Sequence, residues 1–78
     1  MTKIEVLGTG CAKCKRLYAN VQEAVKSLGM EAEVFKVDSL DELIERGVMS
    51  TPALYIDGTL RLSGRVATVD ELIRMLRG

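Results

Sequence analysis

Apolar and polar positions along the chain change period several times, and each change marks a predicted element. Lys3-Ile4-Glu5-Val6-Leu7 alternates as a short strand does, and Gly8-Thr9-Gly10 breaks it. From Cys11 the spacing becomes helical, with Leu17, Val21, Ala24, Val25 and Leu28 forming one apolar stripe and Gly29 supplying a stop. Ala32 to Val37 reads as a second strand. Ser39 and Glu42 carry the spacing of a capping box, and Leu40, Leu43 and Ile44 predict the buried face of a short helix that Gly47 ends. Ala53 to Ile56 and Leu60 to Leu62 are short strands joined by Asp57-Gly58, a strong hairpin dipeptide. Thr68 and Glu71 repeat the capping box before a last helix bearing Val69, Leu72, Ile73 and Leu76.

The resulting order is β-α-β-α-β-β-α. A β-α-β start implies parallel strands joined by a right-handed crossover, and the hairpin adds antiparallel strands to the same sheet. The expectation is an α/β fold with a four-stranded mixed sheet and helices on both faces. Its 78 residues form one domain, 1–78, with no internal repeat or linker. A chain of this size buries roughly 60% of its unfolded surface, enough for a single core.

Composition narrows the function classes. Hydrophobic residues make up 47% and charged residues 28%, which excludes disorder by composition. The formal net charge of +0 offers no basic excess to neutralise nucleic-acid phosphate or an anionic membrane, so neither is an expected partner. No apolar run approaches a membrane span and no signal-peptide pattern opens the chain, which makes the cytoplasm the expected location. A monomer is expected.

Chemistry concentrates at Cys11-Ala12-Lys13-Cys14, which holds both cysteines of the chain. A bridge between them would close too short a loop to stabilise the fold appreciably. A structural zinc site needs four Cys or His ligands, and there is no histidine. What remains is dithiol/disulfide exchange, capture of a soft ion such as Cu(I) by two thiolates, or two incidental cysteines at a helix start. Cys14, three residues before Leu17, is expected to face partly inward, and Cys11, at the helix entrance, to stay exposed. A helix N-terminus or a nearby cation lowers a thiol pKa, and Lys13 is the nearest cation. Lys15 and Arg16 read as a solvated helix face, Tyr18 and Tyr55 as packing residues. Met49, close to Pro52, is a candidate lining of a substrate groove.

With the Cys-x-x-Cys pair after the first strand, Thr51-Pro52 before the third, and this element order, the chain resembles the thioredoxin superfamily, specifically its small glutaredoxin-sized redox-active disulfide proteins. The resemblance spans essentially the whole chain. It implies a thioredoxin-like fold, Cys11 as nucleophile, Cys14 as resolving thiol, and a cis Pro52 beside the sulfurs. It further implies that Thr51 offers its backbone to an extended substrate. The implied partners are a disulfide-containing protein substrate and a disulfide reductase as electron donor, with no cofactor and no resident metal. Glu5, six residues before Cys11, stands where many thioredoxins hold a buried acid that assists proton transfer, although alternation with Ile4 and Val6 points it to an exposed face. Departures are visible too: Gly10 precedes Cys11, neither aromatic nor proline lies between the cysteines, and Arg65 replaces the second glycine of the glutaredoxin glutathione segment. Gly64 is expected to be a turn that allows close approach to the site. Heavy-metal carrier domains also place Cys-x-x-C between strand and helix, but in a β-α-β-β-α-β order.

Overall fold

The computed structural model describes residues Thr2–Arg77. Seven elements follow in the order expected: β1 (Thr2–Leu7), α1 (Ala12–Leu28), β2 (Ala32–Val37), α2 (Leu40–Glu45), β3 (Ala53–Ile56), β4 (Thr59–Ser63) and α3 (Val69–Arg77). The sheet order is β2-β1-β3-β4. β1 is central, running parallel to β2, with Leu7 beside Val37, and antiparallel to β3, with Leu7 beside Ala53. The β3–β4 hairpin turns at Asp57-Gly58, both with positive φ, the geometry that matches the twist of the flanking strands. Asp57 also ties the turn to β1, donating its N–H to the Lys3 carbonyl at 2.8 Å and accepting the Lys3 N–H on Oδ1 at 2.9 Å.

Alternation along β1 divides the interior in two. Ile4 and Val6 point into the larger cluster, built with Leu17, Val21 and Ala24 of α1, Leu54 and Leu62 of the hairpin, and Leu72 of α3. Leu7 points the other way, against Ala53 and Leu43 of α2. The sheet therefore carries helices on both faces, but unequally. Six-residue α2 reaches the sheet through Leu43 alone, and this corrects one expectation: Leu40 and Ile44 are 63% and 68% exposed. A helix this short, lying over a small cluster, turns only one of its three apolar side chains to the sheet.

Both predicted N-caps form, each in half. Ser39 Oγ accepts the Glu42 N–H at 3.4 Å, and Thr68 Oγ1 accepts the Glu71 N–H at 3.1 Å. The two glutamate carboxylates are diverted to arginines: Glu42 to Arg46 and Glu71 to Arg65. The α1 helix ends at Gly29 in the left-handed region, where its N–H closes the last turn on the Lys26 carbonyl.

Candidate functional site

Strand β1 ends against β2, where the Gly8 N–H donates to the Val37 carbonyl at 2.9 Å, and the chain then turns through Thr9-Gly10 into α1. Cys11 is the N-cap of that helix. Its backbone is extended, and its Sγ accepts the N–H of Cys14 at 3.3 Å, the place a serine or aspartate oxygen usually fills. Cys11 is exposed whereas Cys14, one turn on, is 2% exposed, as the position relative to Leu17 predicted. Both are free thiols.

This arrangement separates the two sulfurs chemically. Cys11 is held below the ordinary thiol pKa, first by the side chain of Cys14, then by the N–H groups of Cys14, Lys13 and Cys11 itself. Cys14 is pushed up, first by burial, then by its hydrogen bond with Cys11 and the negative charge Cys11 develops. An exposed sulfur inclined to ionise thus stands over a buried one inclined to keep its proton.

Thr51-Pro52 is a cis peptide, as the resemblance implied. Pro52 is buried and its Cα lies 3.9 Å from where a β-carbon on Gly8 would stand, so the proline loop, the end of β1 and Cys14 meet at one point. Thr51 is exposed beside it. The Pro52 carbonyl accepts the N–H of Gly64 at 2.9 Å. Gly64 has φ +80°, and a β-carbon there would come 3.2 Å from Ser50 Cβ. Met49 is 96% exposed and lines a shallow cleft with Ser50, Leu60 and Ser63.

Two residues that sequence reasoning passed over shape this site. Gly8 read only as a strand breaker, yet Cys14 lies on its open face: a β-carbon there would overlap Cys14 Sγ and reach 3.0 Å from Cys14 Cβ. Arg46 carries no motif in the sequence, yet it links three elements. Its guanidinium holds Glu5 bidentately at 3.1 and 2.6 Å, meets Glu42 at 3.0 Å, and lies 5.2 Å from the ring centroid of Tyr55. The exposed face expected for Glu5 is thereby corrected: Glu5 is 5% exposed, under α2, and its carboxyl is held below the usual range chiefly by the hydrogen bonds from Arg46. An acidic side chain in a buried strand followed by a lone arginine at a helix end was the available signal. Among the described residues, no group of three or more His, Cys, Asp or Glu side chains is placed to hold a metal ion, and no helix is long and apolar enough to cross a membrane.

A four-stranded β-α-β-α-β-β-α fold, with a Cys-x-x-Cys pair at the first helix start and a cis proline against it, defines a thioredoxin-like redox protein. Comparison with known proteins places it further: the thioredoxin-domain family profile matches residues 2–77. The chain belongs to the thioredoxin family. It is 45% identical over 76 residues to a thioredoxin of Methanothermobacter thermautotrophicus, covering 97% of this chain and 99% of that protein. It is 38% identical over 77 residues to a thioredoxin of Methanocaldococcus jannaschii, covering 99% and 88%. Among solved structures it superposes on thioredoxin-2, described as a component of malaria parasite protein secretion machinery, with a TM-score of 0.75 at 17% identity, over 99% of this chain and 82% of that one. That last likeness is one of fold.

Proposed function

We propose that this protein is a thiol-disulfide oxidoreductase that reduces protein disulfides through a Cys11/Cys14 cycle. The observation that carries the reading is the pairing of an exposed, ionisation-prone Cys11 with a buried, proton-retaining Cys14 one helical turn away. Cys11 thiolate attacks a substrate disulfide, forming a mixed disulfide and releasing one substrate thiolate, which takes up a proton. Cys14 then gives up its proton and attacks Cys11, closing the Cys11–Cys14 bond and releasing the second substrate thiol. Two electrons and two protons pass to the substrate, and a disulfide reductase returns them.

Each neighbour has a part in this cycle. Thr51, exposed beside buried Pro52, offers its backbone groups to an extended substrate segment, and Gly64 keeps the adjoining turn close. Lys13 stabilises the Cys11 thiolate through its N–H. Glu5, tied to Arg46, remains a carboxylate that fastens α2 to β1.

Equilibration in glutathione or dithiothreitol redox buffers with mass-based thiol trapping tests the reading. A reversible two-electron transition is expected, together with a trapped mixed disulfide at Cys11 in Cys14→Ser. If no intramolecular disulfide forms at any accessible potential, dithiol exchange is rejected and stoichiometric Cu(I) binding becomes the reading to test.

A further inference from the structure

The sulfur of Cys11 stands at the head of a basic stretch that the fold leaves unneutralised. Lys13, Lys15 and Arg16 are all exposed. None takes part in an ion pair among the described residues, where Arg46 pairs with Glu5 and Glu42, and Arg65 with Glu71. No Asp or Glu occurs between Glu5 and Glu23.

Placement makes this more than a solvated helix face. A helix N-terminus attracts acids and repels cations, and two of the three helices obey: Asp41 and Glu42 open α2, Asp70 and Glu71 open α3. At the other ends, Lys26 closes α1, and Arg74 and Arg77 close α3, again in the favourable sense. Only the helix that carries the sulfurs has no acid in its first turn and cations in their place. That arrangement opposes the helix dipole, and no Asp or Glu among the described residues pairs with these cations. Lys15 follows Cys11 by one turn, donating its N–H to the Cys11 carbonyl at 3.1 Å, and Arg16 follows Lys13 by three residues. Lys15 therefore shares a helix face with Cys11, and Lys13 and Arg16 lie together on the same opening turns of α1.

We infer that this basic start of α1 is a docking surface for disulfides borne on acidic protein segments, with Lys15 and Arg16 its principal contacts. The inference rests on the disulfide-exchange reading and specifies its substrate class. Charges of opposite sign around two reacting sites raise the rate of productive encounter and are weakened by salt. The chemistry is that of the cycle above: the substrate disulfide gains two electrons and two protons, and the Cys11–Cys14 bond forms. The cations select which disulfide arrives.

Three disulfide-bonded peptides with one core sequence and acidic, neutral or basic flanks provide the test, read as the rate of thiol release from each by the reduced protein and by its Lys15→Gln/Arg16→Gln variant. The ratio between peptides on the same protein cancels any change in Cys11 reactivity. With the native protein at low salt, the acidic peptide is expected to react roughly tenfold faster than the basic one. The gap closes as salt shortens the screening length from about 30 Å at 0.01 M to about 3 Å at 1 M. In the variant the gap narrows by roughly threefold or more, while its Tm stays at or above the native value because the opposed charges are gone. Equal rates for the three peptides on the native protein overturn the docking inference and leave disulfide exchange standing. An undiminished gap in the variant overturns the assignment to Lys15 and Arg16. No thiol release from any of the three peptides removes the exchange reading and the inference with it.

Discussion

Gly8 and Cys14 occupy one another's space: the thiol of Cys14 fills the position that any β-carbon on Gly8 would need. Gly8 is buried, Cys14 beside it is 2% exposed, and an added β-carbon would also reach 3.0 Å from Cys14 Cβ. Gly8→Ala is expected to cost about 2 kcal/mol of stability by overpacking. It also slows formation of the intramolecular disulfide, because Sγ is displaced from its place beneath Cys11. Urea denaturation in native and Cys14→Ala backgrounds checks this, since removing the sulfur lowers the cost of Gly8→Ala. An equal cost in both backgrounds would show that Cys14 is not what the added methyl meets.

The side chain of Cys14 is the first of the influences that lower the Cys11 pKa, ahead of the backbone N–H groups. Cys14→Ala should therefore raise the midpoint for Cys11 ionisation toward the ordinary thiol value without restoring it fully, as the N–H donors remain. The pH dependence of Cys11 alkylation reads this directly. A midpoint that falls or stays fixed in Cys14→Ala contradicts the hydrogen-bonded pair.

Glu5 and Arg46 make stability depend on acid. Glu5 is held below the usual carboxyl range in the folded chain, so its stabilising contribution is complete above the unfolded-state value of about 4.3 and disappears as pH falls through the depressed folded value. Stability should thus fall from about pH 5 downward, and the Glu5→Gln profile should be flatter there. At neutral pH, Arg46→Gln is expected to lose about 2–3 kcal/mol, since it strands a buried carboxylate. Chemical denaturation across the acid range measures both effects, and a slope unchanged by Glu5→Gln would assign the acid sensitivity elsewhere.

Much of this could be read from the chain because the decisive features are local. Element order, the hairpin at Asp57-Gly58, the caps at Ser39 and Thr68, and the opposite exposures of Cys11 and Cys14 follow from residues within a turn or two of each other. What stayed hidden depends on partners far along the chain. Glu5 is buried because Arg46, 41 residues later, reaches back to it. Leu40 and Ile44 match a helical stripe, but a six-residue helix over a small cluster has room to bury only Leu43. Gly8 looks like a strand terminus until the helix carrying Cys14 is laid against it.

Gly64 has φ +80° and faces Ser50 at contact distance, so Gly64→Ala meets both an unfavourable backbone region and a close neighbour. A loss of about 1–2 kcal/mol is expected from the backbone alone. The Pro52 carbonyl loses part of its anchorage, and peptide disulfide reduction should weaken through KM more than through kcat. A selective fall in kcat with unchanged KM would place Gly64 outside the substrate contact.

Because Cys14 is buried and Cys11 exposed, a partner reaches only one of the two sulfurs. In the proposed cycle electrons must enter and leave through the same atom, so the reductase and the substrate compete for Cys11 and cannot be served together. The protein is a single-berth ferry: each crossing has to discharge before the next can load.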